Sequence, residues 1–327
     1  MHTFSINSQI YNYEIILQNG MPFPSRKGII FERQTANQNI NYGEITPLPG
    51  WSIESLDDAV DQIRFIQKDP FSIAKEKLFP SVGFGLEMAE NIYKNLPILD
   101  KELSYSYLLI GNRDQIITKI QNLPINGYAK LKTSKLSLQD VFDITSLLLT
   151  KNIVPCIDPN QLWSKEETIA FCTYFSSEQI RYLEEPVKNL KDLVELATAL
   201  PHRFAIDQTL RKMPIIELLE YPFRDWILKP TLMGGMATCI YYADIAQKNG
   251  IETYLSSSWE SGLGLFYIID VYRRTNLFSS PLGLDTYYFL QDTLEIPLQF
   301  ISGKIHLPEQ TIVNYDILTQ VSHGTSS

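Results

Sequence analysis

Five short apolar runs in this chain each end on a charged residue, and they follow one another at near-regular intervals. GYA leads into Lys130-Leu131-Lys132, VPCI into Asp158-Pro159-Asn160, and IRYL into Glu184-Glu185-Pro186; RFAI ends at Asp207 and WIL at Lys229-Pro230. A charge at the end of an apolar strand is costly to place there unless it is paired or working. Five such ends in series describe one site built from several strands. Barrel enzymes place their chemistry in this way, at the carboxyl ends of parallel strands.

The spacing predicts strands over Tyr105–Ile110, Ala129–Leu131, Val154–Ile157, Arg181–Leu183, Phe204–Ile206, Trp226–Leu228 and Thr253–Ser256. Helices fit between them over Leu138–Leu149, Lys165–Phe175, Leu190–Ala199, Ile215–Leu219, Ala237–Asn249 and Leu263–Arg274. Alternation at about 22 to 27 residues requires parallel strands with crossover helices. Seven repeats and a weaker eighth element near Leu282–Asp285 point to a closed α/β barrel over roughly residues 101–290. An open doubly wound sheet is the other choice, but no GxGxxG follows the first strand.

Residues 1–100 read differently, as a small α+β unit. Strand character runs over Thr3–Leu17, Lys27–Arg33 and Asn41–Ile45, and helical spacing over Ser55–Gln67 and Val82–Lys94. Prolines mark loops at Met21–Arg26 and Gly43–Gly50. The tail, from about residue 291 to 327, is strand-like again over Leu294–Ile301 and Lys304–Leu307 and is expected to return to the N-terminal unit.

The chain has 327 residues and a net charge of −9, which with no Lys/Arg-rich run argues against nucleic acid as a partner. No stretch approaches the ~18 apolar residues a membrane span needs, and the N-terminus lacks a signal-peptide pattern. Cys156, Cys172 and Cys239 have no CxxC spacing, so a reducing cytoplasm is expected rather than a disulfide framework. The scattered histidines His2, His202, His306 and His323 do not suggest zinc.

Asp158, Glu184 and Asp207 end three consecutive predicted strands. Neighbouring strands lie about 4.8 Å apart, so their end groups converge. Unpaired carboxylates there would repel one another. An oxygen-seeking divalent cation removes that penalty, and Mg²⁺ suits few carboxylates plus substrate oxygens. The plainer alternative is that each acid caps a helix or pairs with a lysine. Lys130 and Lys132, two apart, share one strand face, and Lys229 ends the sixth strand across the barrel. They can act as proton donors and acceptors on either side of a metal, or be ordinary solvated lysines. A Schiff-base role for Lys229 would leave the three acids without a purpose. The small residues Ser256, Ser257 and Ser258, and Thr231–Gly235 with Gly234, could bring backbone N–H groups to an anion at a helix N-terminus, or serve only as turns and caps.

At these residues the chain resembles the enolase superfamily, and within it the o-succinylbenzoate synthase family of menaquinone biosynthesis. The resemblance covers nearly the whole chain: KLK at Lys130 and Lys132, DPNQLW with Asp158, Asn160 and Trp163, LEEP with Glu184, IDQT with Asp207, and LKPTLMGG with Lys229. GEITPLPGWS, SSSWESGLG and PLGLDT resemble o-succinylbenzoate synthases in particular. One departure is Gln208, where the family often has an acid. The resemblance implies a (β/α)7β modified TIM barrel with an α+β capping domain from both termini, whose loops close over the mouth. It implies Mg²⁺ on Asp158, Glu184 and Asp207, with Mn²⁺ a substitute. It also implies Lys132 as the base, Lys229 as the opposing ammonium and Lys130 as its support. Asn160, Ser256, Ser257, Ser258 and Gly234 then become candidates for contact with a small carboxylate substrate.

The implied reaction is syn-dehydration of 2-succinyl-6-hydroxy-2,4-cyclohexadiene-1-carboxylate to 2-succinylbenzoate through an ene-diolate, a pattern of lysine bases and Mg²⁺ general to that superfamily. The near rivals are an N-acylamino acid racemase and a dipeptide epimerase, which use the same residues without dehydration. A lactonising cycloisomerase and a silent barrel kept for binding are weaker readings. Oligomeric state is left open, a monomer included.

Overall fold

The computed structural model describes residues 9–34, 40–68, 77–291, 294, 298–308, 313 and 315–320. Residues 3–8 of the expected strand Thr3–Leu17 and part of the expected tail strand from Leu294 therefore lie outside the described residues.

Three antiparallel strands open the chain: β1 (Ile10–Ile16), β2 (Ser25–Gln34) and β3 (Ile40–Ile45). Alternation places Ile10, Ile29, Phe31 and Ile45 on one buried face. Helices α1 (Leu56–Lys68) and α2 (Pro80–Glu90) cover that face with Ala59, Ile63, Ile66, Val82, Leu86 and Ala89. Each large aliphatic side chain so buried contributes roughly 1.5–3 kcal/mol. Two glycines allow α2 to sit close: a Cβ on Gly85 would come within 2.7 Å of the Glu44 carbonyl, and one on Gly83 within 2.9 Å of that of Gly234.

The second body is a parallel sheet of seven strands in sequence order. They are β4 (Ser106–Leu109), β5 (Gly127–Lys132), β6 (Ile153–Asp158), β7 (Tyr182–Glu184), β8 (Phe204–Ile206), β9 (Asp225–Leu228) and β10 (Glu252–Leu255). The helices between them are α3 (Arg113–Asn122), α4 (Leu138–Thr150), α5 (Lys165–Tyr174), α6 (Leu190–Ala199), α7 (Ile215–Leu218), α8 (Pro230–Met233) and α9 (Met236–Lys248), with α10 (Gly262–Tyr272) following β10. Leu282 and Gly283 close the ring: Leu282 bridges Tyr105 and Gly283 bridges Ser256, both in parallel. The fold is thus an α/β barrel with an antiparallel sheet beside it.

No element is expected from the pattern over residues 111–126, yet α3 lies within them. Its start is a capping box, with Asn112 and Gln115 exchanging hydrogen bonds, and Ile116 and Ile120 form its buried stripe. Ser137 with Asp140 and Ser164 with Glu167 start α4 and α5 in the same way. Such caps hold helix starts at about 1 kcal/mol each.

The tail divides between the two bodies. β11 (Gln299–Ile301) and β12 (Lys304–His306) form a hairpin that bridges Ser104 through Lys304. Residues Thr319–Gln320 (β13) pair with Tyr11 and Asn12 of β1.

The two bodies are joined by buried carboxylates. Glu44, on β3, accepts from Ser261 N (2.9 Å), Ser261 Oγ (2.8 Å), Gly264 N (2.8 Å) and Tyr13 Oη (2.5 Å). Glu87, on α2, accepts from Met236 N (2.8 Å), Ala237 N (2.9 Å) and Tyr267 Oη (2.8 Å). Each carboxylate therefore sits on the N-terminus of a barrel helix, α10 or α9, where free N–H groups and the helix dipole favour an anion.

Candidate active site

The strand ends gather as the sequence pattern requires. Lys132 and Asp158 are register partners on β5 and β6; Glu184 ends β7 and Asp207 comes directly after β8. Lys130 Nζ lies 2.9 Å from Asp158 Oδ2 and 2.5 Å from Glu184 Oε2. Lys132 Nζ bonds Asp158 Oδ2 and reaches Asn160 Oδ1 at 3.4 Å. Lys229 Nζ bonds Asp207 Oδ2 at 2.5 Å. So each acid is paired with a lysine, the plainer of the two arrangements. Among the described residues, no three acidic, histidine or cysteine side chains stand close enough together to hold a metal as placed. Ammonium groups stand between them.

The electrostatics show why that arrangement is strained. Burial lowers Lys130, but Asp158 and Glu184 outweigh it and hold the amine protonated. Burial would raise Asp158, yet Lys130 and Lys132 pull it well below the usual range. Glu184 is pushed up to about 7, first by burial and then by Asp158, because one ammonium cannot serve two carboxylates. Burial also raises Asp207, and Lys229 and Arg211 overcome it. Lys132 is lowered, chiefly by burial, with Lys130 and Lys229 adding to the effect.

The donor set fits a hard divalent cation. Three buried carboxylates supply only oxygen, and Asp207 Oδ1 is buried without a hydrogen-bond partner, Arg211 Nη2 standing 3.7 Å away. Glu185, which the sequence reading passes over, latches the three strand ends. Its carboxylate accepts from Asp207 N (3.0 Å), Thr209 N (2.6 Å) and Gln161 Nε2 (2.6 Å). Its only sequence signal is the doubled acid of Glu184-Glu185.

Above these groups lies a cavity of about 220 Å³, the scale of one small organic acid. Lys130, Lys132, Lys229, Asn160, Ser256 and Ser257 line it. The loop residues Pro22, Phe23, Leu48 and Trp51 of the N-terminal unit line it too, with Lys229 Nζ 5.4 Å from the Trp51 ring centre. Asp285 and Thr286, the last two residues of PLGLDT, line it as well, and so does Ser106, which no sequence motif marked.

The N-terminus of α10 does not offer its N–H groups to a ligand, because Glu44 occupies them, and Glu87 does the same for α9. Ser258 donates its N–H to Glu260 at 2.6 Å and is not among the cavity-lining residues. Gly234 is also absent from that lining; it ends α8 with a φ of 90°.

Comparisons with known proteins follow the same lines. The family model for the MenC N-terminal domain matches residues 6–93, and that for the enolase C-terminal domain-like family matches residues 150–311. The o-succinylbenzoate synthase of Yersinia enterocolitica is 28% identical over 297 residues, covering 86% of this chain and 90% of its own. Among solved structures, the L-Ala-D/L-Glu epimerase from Bacillus subtilis matches with a TM-score of 0.81 at 15% identity, covering 94% of this chain and 97% of its own. The o-succinylbenzoate synthase from Thermosynechococcus elongatus, solved with Mg in its active site, matches with a TM-score of 0.66 at 20% identity, covering 85% and 92%. At these identities the structural likeness speaks for the fold.

Proposed function

We infer that this chain, which belongs to the enolase superfamily through its MenC N-terminal and enolase C-terminal domains, is an o-succinylbenzoate synthase, a hydro-lyase of menaquinone biosynthesis. The single observation that carries the mechanism is that Lys132 and Lys229 line one small cavity, each bonded to an acid of the strand-end set.

The substrate is 2-succinyl-6-hydroxy-2,4-cyclohexadiene-1-carboxylate. Lys132 takes the proton from the carbon bearing the carboxylate and delivers it to the departing 6-hydroxyl on the same face. The C–H pair becomes the new ring double bond, the C–O bond breaks, and water leaves with 2-succinylbenzoate. Lys229 stays protonated on the opposite face and offsets the charge that grows on the substrate carboxylate. Lys130 holds Asp158 and Glu184 in place. Asn160, Ser256 and Ser257 orient the substrate within the cavity.

Asp158, Glu184 and Asp207 would hold Mg²⁺, which when bound supplies the Lewis acidity that makes the α-proton removable. Mn²⁺, with a similar taste for oxygen, serves in its place. For the acids to turn to a metal, the lysine contacts must loosen, so ammonium and metal compete for the same oxygens.

The three cysteines are free and buried, in keeping with a cytoplasmic enzyme, and no helix among the described residues is long and apolar enough to cross a membrane. Residues 1–100, completed by the end of the tail at β13, act as the capping domain and 101–290 as the catalytic barrel, against which the β11–β12 hairpin lies. The racemase and epimerase readings share the lysine pair, and the Bacillus epimerase is similar in fold. Incubation in D₂O with the cyclohexadiene acid separates them. Aromatic absorbance should appear with Mg²⁺ present; deuterium washed into an N-acylamino acid or dipeptide, with no aromatic product, would sink the dehydratase reading.

A further inference from the structure

One buried cation reaches three of the loops that wall the cavity. Arg26, on β2, is 1% exposed. Its Nη2 donates to Thr46 O (2.9 Å) and Thr46 Oγ1 (2.8 Å), its Nη1 to Pro47 O (3.1 Å), and its Nε to Trp259 O (3.3 Å). Its guanidinium also lies 5.5 Å from the Phe23 ring centre. Phe23, Leu48 and Trp259 belong to these three loops, and all three line the cavity. Phe23 and Trp259 meet edge to face with centroids 5.5 Å apart.

Such a hub needs a fork. Guanidinium offers five N–H donors in fixed directions, whereas an ammonium on the same stem is a point charge. The four acceptors are neutral, so the charge is held by more distant groups. Burial lowers the Arg26 pKa, while Tyr13, Glu260 and Glu44 oppose the loss of charge. Those two acids are themselves anchored on the barrel side. Glu260 accepts from Thr231 Oγ1 (2.5 Å) and Ser258 N (2.6 Å), and Glu44 sits on the start of α10.

We propose that Arg26 is a positioning residue that sets the shape of the cavity's apolar wall, and hence substrate affinity, by locking the loops at Phe23, Leu48 and Trp259 into one arrangement. It touches neither the lysines nor the acids through any of these contacts, so the proton-transfer machinery is left in place when it is altered. This role rests on the cavity being the active site described above.

The test uses the full-length chain with Arg26→Met, Arg26→Lys and the milder Thr46→Val. Backbone hydrogen exchange is read first, because it needs no substrate. In Arg26→Met, exchange should rise together, by about tenfold, in the segments around residues 21–24, 46–51 and 257–261, with β5 to β8 unchanged. Arg26→Lys should fail to restore protection in all three segments, since a point charge cannot span them. Steady-state kinetics on the cyclohexadiene acid should then show KM raised about tenfold with kcat held within about threefold. A rise in exchange confined to β2, or a fall in kcat at unchanged KM, would overturn the proposal. Should Arg26→Met not fold, Thr46→Val decides by the same criteria: its exchange rises at 46–51 and its KM rises modestly, or the hub is disproved. A wild-type chain inactive on this acid would count against the dehydratase reading alone, and the exchange data would still decide the role of Arg26.

Discussion

Glu44 and Ser261 lie 217 residues apart in the chain and are joined by two hydrogen bonds, from Ser261 N at 2.9 Å and Ser261 Oγ at 2.8 Å. A carboxylate of the N-terminal sheet thereby caps a barrel helix. Because its donors are fully buried, removing it leaves several unsatisfied groups. We predict that Glu44→Ala costs on the order of 2–4 kcal/mol and Glu44→Gln less, since an amide can still accept. Urea unfolding of the two variants measures this, and a loss under about 0.5 kcal/mol for Glu44→Ala would contradict it.

For the base we predict that Lys132→Ala lowers kcat by at least about 10²–10⁴. Circular dichroism should show the chain still folded. Turnover near the wild-type rate in that variant would remove Lys132 from the proton-transfer role.

Metal dependence follows from the acids. Stripping with EDTA should stop turnover, and Mg²⁺ or Mn²⁺ should restore it. Asp207→Asn should raise the metal concentration needed for half-activation, because the amide is a weaker oxygen donor than a carboxylate. Calorimetric titration with Mg²⁺ alone gives an activity-independent reading, and equal affinities in the two proteins would argue against Asp207 as a ligand.

Acid sensitivity is predicted at His202. The ring is buried, one nitrogen meets Phe175 O at 2.9 Å, and Nδ1 has no hydrogen-bond partner. Burial lowers its pKa, outweighing Phe175 O and Glu178. A histidine with a folded pKa below the unfolded one (about 6.5) is neutral in the native state and takes up a proton more readily when unfolded. Its contribution is intact above that pH and is lost as pH falls through it. His202→Gln should therefore lose less stability than the wild type between pH 7.5 and 5. Parallel losses in urea titrations at the two pH values would show that His202 is not responsible.

Much of the barrel was legible because its signals are local. Phe204–Ile206 and Leu190–Ala199 lie where the alternating pattern puts them, since strand and helix periodicities differ and each repeat restates them. The three lysines and three acids were legible because charge at a strand end is rare unless it works. By contrast, α3 was missed because its short run between polar caps carries only two fully buried residues, Ile116 and Ile120.

The sequence by itself determined the order of the parallel strands and which charged groups share one end of them. Chain connectivity and a two-residue side-chain alternation are enough for that. Only the tertiary structure decided which cation each acid holds, that Glu44 and Glu87 occupy the helix ends a ligand was expected to use, and that Arg26 joins three loops. Those outcomes depend on contacts between residues distant in the chain, whose distances and desolvation no local pattern encodes.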